Sequence, residues 1–281
     1  MIYTTLIDAA TVHAHLHDSE WVVVDCRFNL MDVEAGLRAY RDGHIPGARY
    51  AHLDEHLSSP ITPASGRHPL PDPARLAQVV GAWGIGEATQ VVAYDDGPGQ
   101  YAARLWWLLR WLGSARCAVL DGGIGAWRAH GYPLTQDLPK PAPRIFPDRH
   151  DDRLWLTSEQ TRLASERGEP LLVDARAPVR YRGEQEPIYP VAGHVPNAIN
   201  IPYEENLKNG RFLPAAALRA RFQEALGGRA PNDVVHYCGS GVTACHNILA
   251  MEAAGLKGSR LYAGSWSEWI RDPARLVAKA G

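Results

Sequence analysis

The sequence has few cysteines, no excess of charge of either sign and no long hydrophobic run. Four cysteines among 281 residues are too few for a fold held together by disulfides. Lysine and arginine number 29 against 31 for aspartate and glutamate, so the net charge gives no electrostatic reason to bind nucleic acid or an anionic membrane. No apolar segment approaches the ~18 residues of a membrane span, and the N-terminus lacks the pattern of a signal peptide. We therefore expect a soluble, cytoplasmic protein without nucleic-acid or membrane partners.

The composition is that of a globular protein, with 46% hydrophobic and 21% charged residues, and the chain repeats itself once. Four short patterns occur twice in the same order. They are an apolar run ending in Asp-x-Arg (residues 22–27 and 171–176), Gly-His-x-Pro (43–46 and 193–196), a second apolar run (91–95 and 234–238) and a Gly-containing word followed by Trp (120–127 and 261–269). Shared order is much harder to obtain by chance than any single word, so the sequence predicts two copies of one domain.

Short β-branched runs alternate with segments of helical periodicity in each copy, for example 74–83, 101–112 and 243–254. This alternation predicts an α/β fold in which each domain is a parallel sheet with helices on both faces. Prolines are dense between the copies and exclude helix there. We predict an N-terminal domain over residues 1–140, a proline-rich linker over 141–153 and a C-terminal domain over 154–281.

One cysteine, Cys238, follows a predicted strand and precedes a predicted helix. Ligands of parallel α/β folds bind at the carboxyl ends of the strands. Gly239 and Gly241 allow a tight turn whose N–H groups point inward, and a helix N-terminus favours an anion and a thiolate. The loop therefore predicts a nucleophile beside an anion-binding cradle; a buried cysteine on a glycine turn is the alternative.

With this loop and the repeated motifs, the chain resembles tandem-domain rhodaneses of the thiosulfate and 3-mercaptopyruvate sulfurtransferase family. The resemblance covers nearly the whole length and depends on Asp174-x-Arg176, Gly193-His-Val-Pro, the loop Cys238-Gly-Ser-Gly-Val-Thr243 and Gly264-Ser-Trp-Ser-Glu-Trp269. The first copy carries Asp95 where the second has Cys238, which resembles the family's pairing of a non-catalytic with a catalytic domain. The resemblance implies transfer of a sulfane sulfur from a small-molecule donor through a Cys238 persulfide. The acceptor is a thiol, cyanide or thioredoxin, and neither metal nor other cofactor is required.

The resemblance also assigns roles to further residues. Gly239 and Ser240 make the loop similar to that of the mercaptopyruvate branch, where a serine works with a histidine and an aspartate; the matching positions here are Ser240, His68 and Asp54. Arg180 matches an arginine that binds the donor carboxylate. Arg182 is the residue that would compensate for a second arginine, since Ile188 stands near its usual place. The loop residues Gly239, Gly241, Val242 and Thr243 complete the predicted donor site.

Two other interpretations remain open. A thiosulfate-preferring enzyme, or a sulfur carrier without a small-molecule donor, would share Cys238 and its loop. A phosphatase would also place a cysteine between a strand and a helix, but it needs an arginine that closes the loop. The residues after Thr243 are Ala244, Cys245 and His246, which disfavours a phosphatase. His52-Leu-Asp-Glu-His56 matches a zinc-protease word in reverse, and we interpret it as an ordinary surface segment.

Overall fold

A computed structural model describes residues 1–279, which form two compact units. The first consists of Met1–Ser59, Pro71–Asp151 and Asn209–Arg211, and the second of Pro60–Leu70, Asp152–Lys208 and the chain from Phe212 onward. The segment Pro60–Leu70 thus packs with the C-terminal unit although it precedes most of the N-terminal one. Within residues 1–279, no helix combines the length and the apolar character needed to span a membrane.

The first unit contains a five-stranded parallel sheet with the strand order β1-β5-β4-β2-β3. Its strands are β1 (Leu6–Ile7), β2 (Trp21–Asp25), β3 (Arg49–Tyr50), β4 (Gln90–Tyr94) and β5 (Cys117–Leu120). Its helices are α1 (Ala9–Ala14), α2 (Ala35–Asp42), α3 (Pro73–Ala82), α4 (Gln100–Trp111) and α5 (Gly123–Ala129). The helices predicted over 74–83 and 101–112 are observed within one residue of those bounds.

The second unit contains a four-stranded parallel sheet with the order β11-β10-β6-β7. Its strands are β6 (Leu171–Asp174), β7 (Ile199–Asn200), β10 (Val234–Tyr237) and β11 (Arg260–Leu261), and a hairpin is formed by β8 (Leu207–Lys208) and β9 (Arg211–Phe212). Its helices are α6 (Ser158–Arg167), α7 (Pro178–Tyr181), α8 (Ala215–Leu226), α9 (Thr243–Ala253) and α10 (Ser265–Trp269). The prediction of two α/β domains with parallel sheets is confirmed.

Alternation along β6 and β10 gives the second sheet its two apolar faces. Leu172 and Val235 lie in one core cluster with Trp266 and Trp269, whereas the neighbouring Val234 lies in another with residues of α8 and α9. Successive side chains of a strand point to opposite faces, so both sides of this sheet are covered. The carboxyl end of β10 is thereby held between two packed layers.

The repeated Asp-x-Arg and Gly-His words make one buried contact in each unit. Arg176 pairs with Asp174 at 2.6 Å and donates from Nη2 to the carbonyl of Gly193 at 2.7 Å. In the first unit Arg27 contacts Asp25 at 2.6 Å and the carbonyl of Gly43 at 2.9 Å. In each unit the arginine of the Asp-x-Arg motif thus links the end of a strand to the Gly-His turn. This shared contact explains why both motifs occur in both copies.

The proline-rich segment between the two repeats lies along the first unit without regular structure. The amide of Arg144 donates to the carbonyl of Gly81 and that of Asp151 donates to the carbonyl of Trp111, each at 2.9 Å. These bonds attach the segment to the ends of α3 and α4 as far as Asp151, and a short 3-10 helix, Asp152–Leu154, begins the next part of the second unit.

Candidate functional site: the Cys238 loop

Cys238 is the first residue after β10 and is 2% exposed. The strand ends here because the next carbonyls bond to α10 rather than to a neighbouring strand: Trp266 N–H donates to Cys238 O and Ser267 N–H donates to Gly239 O, each at 2.9 Å. We call residues 238–243 the Cys238 loop. The loop is thus fixed at both sides, by β10 and by the start of α10.

Gly241 gives the loop its tight turn. Its φ is +79°, a conformation that disfavours side chains, and a Cβ placed on it would lie 2.3 Å from the carbonyl oxygen of Ala263. The turn points the Gly241 N–H at the Cys238 Sγ, at 3.1 Å, and α9 begins at Thr243. An N–H donor and a helix N-terminus at one sulfur favour negative charge there, as nucleophilic attack and a persulfide both require.

The structure brings Ser240 and His68 together. The His68 Nδ1 lies 2.7 Å from the Ser240 Oγ, and the two residues are 2% and 7% exposed. The segment carrying His68 is attached to α10, because the Arg67 N–H donates to Ser267 Oγ at 2.9 Å. Gly66 makes this approach possible, since a Cβ there would lie 2.5 Å from the carbonyl oxygen of Gly264. A buried imidazole therefore contacts the hydroxyl two residues after the cysteine.

Arg180 is hydrogen-bonded to the buried carboxylate of Glu186, a residue that the sequence analysis did not identify. Glu186 accepts from Arg180 Nε at 3.1 Å and from its Nη2 at 2.7 Å, and it also accepts from Arg176 Nη1 at 3.1 Å. The Glu186 side chain is only 2% exposed. One edge of the Arg180 fork is thus occupied, and Nη1 is the atom that makes no hydrogen bond within residues 1–279.

Arg182 lies on the surface, with its side chain 40% exposed. Its guanidinium makes two hydrogen bonds to Glu184, at 2.6 and 3.0 Å, and the structure describes no polar contact from it to the Cys238 loop within residues 1–279. A side chain paired in this way would have to break both bonds to reach a donor. Its predicted part in donor binding remains a prediction.

Asp54 belongs to the first unit and is exposed. It lies in a turn organised by His52, whose Nδ1 accepts from the amides of Asp54 at 3.2 Å and Glu55 at 3.3 Å. His52 also contacts the carbonyl of Val33 through Nε2, so its two ring nitrogens are used inside the unit. Within residues 1–279, no group of three His, Cys, Asp or Glu side chains could hold a metal ion. The catalytic part of Asp54 remains a prediction.

Tyr189 is the second residue that the sequence did not reveal. A Cβ on Gly239 would lie 3.1 Å from both the Cε2 and the hydroxyl oxygen of Tyr189, so the phenol covers the residue next to Cys238. Burial raises the pKa of Tyr189 and Cys238 acts in the same direction, whereas a hydrogen bond between the phenol and the Ser240 side chain opposes them. The phenol therefore remains protonated at neutral pH and is a hydrogen-bond donor at the loop.

The first unit fills the corresponding loop with its own carboxylate. Asp95, directly after β4, is 1% exposed, and its two oxygens accept four backbone N–H groups at 2.9–3.2 Å, from Gly97, Gly99, Tyr101 and Ala102. Burial nevertheless raises the pKa of Asp95, with these four bonds opposing it. The anion cradle is present in this unit, but a carboxylate rather than a thiol occupies it.

Known proteins place the chain among sulfur-transfer enzymes. The family model of the Rhodanese-like domain matches residues 8–130 and 157–272. A protein of Pseudomonas aeruginosa named as a probable 3-mercaptopyruvate sulfurtransferase is 49% identical over 278 residues, which cover 97% of both chains. The thiosulfate sulfurtransferase of Cricetulus griseus is 35% identical over 256 residues, covering 88% of this chain and 84% of the hamster protein.

A solved structure agrees with these relatives. The 3-mercaptopyruvate sulfurtransferase from Leishmania major superposes with a TM-score of 0.84 at 29% identity, covering 96% of this chain and 76% of that protein. The family, fold class and enzyme class predicted from the sequence are thereby confirmed. With a Rhodanese-like domain matched in each half and relatives of this identity over almost its whole length, the chain belongs to the rhodanese family and is a sulfurtransferase.

Proposed function

We propose that the enzyme transfers a sulfur atom from 3-mercaptopyruvate to a thiol or to cyanide through a persulfide on Cys238. We choose this donor because the His68 Nδ1 lies 2.7 Å from the Ser240 Oγ beside the cysteine. A thiol donor must give up its S–H proton and its leaving enolate must gain one, so a hydroxyl–imidazole pair suits this donor. The 49% identical relative is also named for 3-mercaptopyruvate.

The first step forms an S–S bond and breaks a C–S bond. The Cys238 thiolate attacks the sulfur of 3-mercaptopyruvate, and the electron pair of the C–S bond passes to carbon, giving the enolate of pyruvate. The donor's thiol proton moves to that enolate, for which Ser240 and His68 provide a path. The products are pyruvate and the Cys238 persulfide anion, whose charge the Gly241 N–H and the other loop amides, from Gly239 to Thr243, stabilise.

The second step returns the enzyme to its starting state. Cyanide or a thiolate attacks the outer sulfur, the S–S bond breaks, and its electron pair returns to Cys238 as the thiolate. Splitting the transfer in this way gives two displacements at sulfur, each with an anion that leaves easily. Reduced thioredoxin is included among the proposed acceptors, and the cytoplasm is the proposed location, which agrees with four cysteines that are all free thiols.

The division of labour between the two domains is part of this proposal. The N-terminal domain, residues 1–140, is taken as non-catalytic because Asp95 fills its cradle. The linker, residues 141–153, joins it to the catalytic domain, residues 154–281. The second compact unit of the structure also contains Pro60–Leu70, the segment that carries His68.

Steady-state kinetics with two donors tests the proposal. We expect turnover of 3-mercaptopyruvate with cyanide or dithiothreitol, a mass increase of one sulfur atom on the enzyme when no acceptor is present, and neither in Cys238→Ser. Cys245→Ser is the matched control: this cysteine is also buried, and its thiol contacts the carbonyl of Gly241 at 3.3 Å. A Cys238→Ser variant that retains activity, or a wild type that uses thiosulfate alone, would contradict the proposal.

A further inference from the structure

Tyr189 forms part of the wall beside Cys238. Its ring and hydroxyl cover Gly239, the residue directly after the nucleophile, and both lie 3.1 Å from the position of a Cβ there. The ring is also packed against the core cluster that contains Tyr237 and Trp266. The phenol is therefore a fixed part of the wall beside Cys238 rather than a loose surface side chain.

Glu186 holds Tyr189 and Arg180 together. Its Oε1 accepts from the amide of Ile188 at 3.1 Å and from that of Tyr189 at 3.3 Å, while the same carboxylate binds Arg180. The Arg180 guanidinium carbon lies 5.6 Å from the centroid of the Tyr189 ring. One buried carboxylate thus sets the positions of a cation and of the backbone that carries the Tyr189 ring.

Glu186 occupies the Nε–Nη2 edge of the Arg180 guanidinium. Two parallel N–H donors are what makes an arginine a bidentate partner of a planar anion. Here Nε and Nη2 are bound to Glu186, and Nη1 is left. A donor carboxylate accepts about four hydrogen bonds, so a protonated phenol can add one to those of Nη1 without adding charge.

We propose that the Tyr189 hydroxyl binds the carboxylate of 3-mercaptopyruvate together with Nη1 of Arg180, and so makes Tyr189 a specificity-determining residue of the site. This inference rests on the proposed function, because it assigns the carboxylate of that donor. Thiosulfate has no carboxylate: its acceptor oxygens lie on the sulfur bonded to the transferred one, two bonds nearer to it than the carboxylate carbon of 3-mercaptopyruvate. Tyr189 accordingly discriminates between the two donors.

The test is the Tyr189→Phe variant, which keeps the ring over Gly239 and removes only the hydroxyl. A hydrogen bond to a charged group strengthens binding about tenfold or more, so we expect KM for 3-mercaptopyruvate to rise by at least about that factor. The rise in KM exceeds any change in kcat, because the contact to the carboxylate is made equally before and during the reaction. Pyruvate is also tested as an inhibitor of the reaction with thiosulfate as donor. Its inhibition constant rises by the same factor in Tyr189→Phe, and KM for thiosulfate stays unchanged.

Tyr132→Phe is the matched control, because it removes one phenol hydroxyl from a half-buried tyrosine of the first unit. Unaltered KM and pyruvate inhibition in Tyr189→Phe, or an equal loss with both donors, would overturn the inference. Pyruvate inhibition separates this result from failure of the proposed function, since it is measured with thiosulfate as donor. A third outcome is that the wild type does not use 3-mercaptopyruvate but binds pyruvate, and Tyr189→Phe binds pyruvate more weakly. In that case the carboxylate contact holds and the donor assignment fails. If pyruvate does not bind the wild type, the inference itself fails.

Discussion

His68 and Ser240 are 172 positions apart in the chain, yet the imidazole Nδ1 and the hydroxyl Oγ lie 2.7 Å from each other inside one compact unit. Both side chains are buried, so the contact is shielded from water and its geometry is fixed. The unit gains this histidine because Pro60–Leu70 packs on α10 rather than with the residues around it in sequence. The proposed proton path is thereby placed next to Cys238.

Removing the hydroxyl of this pair should affect one donor and spare the other. In Ser240→Ala we expect kcat with 3-mercaptopyruvate to fall about 10²-fold, the lower end of the usual contribution of general acid–base catalysis. Thiosulfate has no S–H proton and releases sulfite without needing one, so its turnover changes by less than about threefold. His68→Asn should show the same pattern.

The matched control for this prediction is Ser259→Ala, because Ser259 is also buried in the second unit and its hydroxyl has no hydrogen-bond partner within residues 1–279. The measurement is kcat for each donor with cyanide as acceptor. Equal losses with both donors in Ser240→Ala would show that the serine supports the loop and not the proton transfer.

The backbone of the Cys238 loop depends on the absence of a side chain at position 241. Gly241→Ala places a Cβ 2.3 Å from the Ala263 carbonyl oxygen at a φ of +79°, so we expect a loss of about 3 kcal/mol in unfolding free energy and of most activity. Gly210→Ala is the control: its φ is +74°, but nothing lies within 4 Å of the added Cβ. Urea unfolding of both variants separates backbone strain from the steric clash, and equal losses would contradict the role of Ala263.

Repeated words and regular spacings were the features of the fold that could be predicted from the sequence. The Asp-x-Arg and Gly-His words identified the two domains because each word marks a buried contact made by Arg27 or Arg176. Glu186 and Tyr189 were missed for the opposite reason. Two glutamates lie close together before Pro187. The sequence has no signal that the side chain of Glu186 is only 2% exposed while that of Glu184 is 52% exposed. Only the fold around Arg176 and Arg180 separates the two carboxylates.

Asp95 should be a structural anion of the first unit. Asp95→Ala leaves four backbone N–H groups without an acceptor, two of them buried and two partly buried, and we expect a loss of about 3 kcal/mol in unfolding free energy. Asp95→Asn retains one acceptor oxygen and should lose less. The control is Asp96→Ala: its side chain is 66% exposed, 3.9 Å from Arg27, so the change stays below about 1 kcal/mol. Calorimetry measures both, and equal effects at the two positions would contradict the assignment.

His236 should make the second unit sensitive to acid. It lies in β10 two residues before Cys238, is fully buried, and contacts the Met251 sulfur through Nε2 at 3.1 Å while Nδ1 has no partner within residues 1–279. Burial lowers the pKa of His236 from its usual 6.5 to about 3. Below pH 6.5 the unfolded chain therefore binds a proton that the folded chain does not bind until about pH 3. This single group removes about 1.4 kcal/mol of stability per pH unit in that interval.

The measurement that checks this is urea unfolding from pH 6.5 to pH 4.5, monitored by the fluorescence of buried Trp266 and Trp269. His236→Phe retains a ring between the sheet and α9 but cannot take up a proton, so its stability should fall less steeply, by about one proton equivalent, than that of the wild type. His17→Phe removes an exposed histidine and should leave the slope unchanged. If His236→Phe and the wild type lose stability in parallel, the imidazole is protonated in the folded state and its burial is not what makes the unit acid-sensitive.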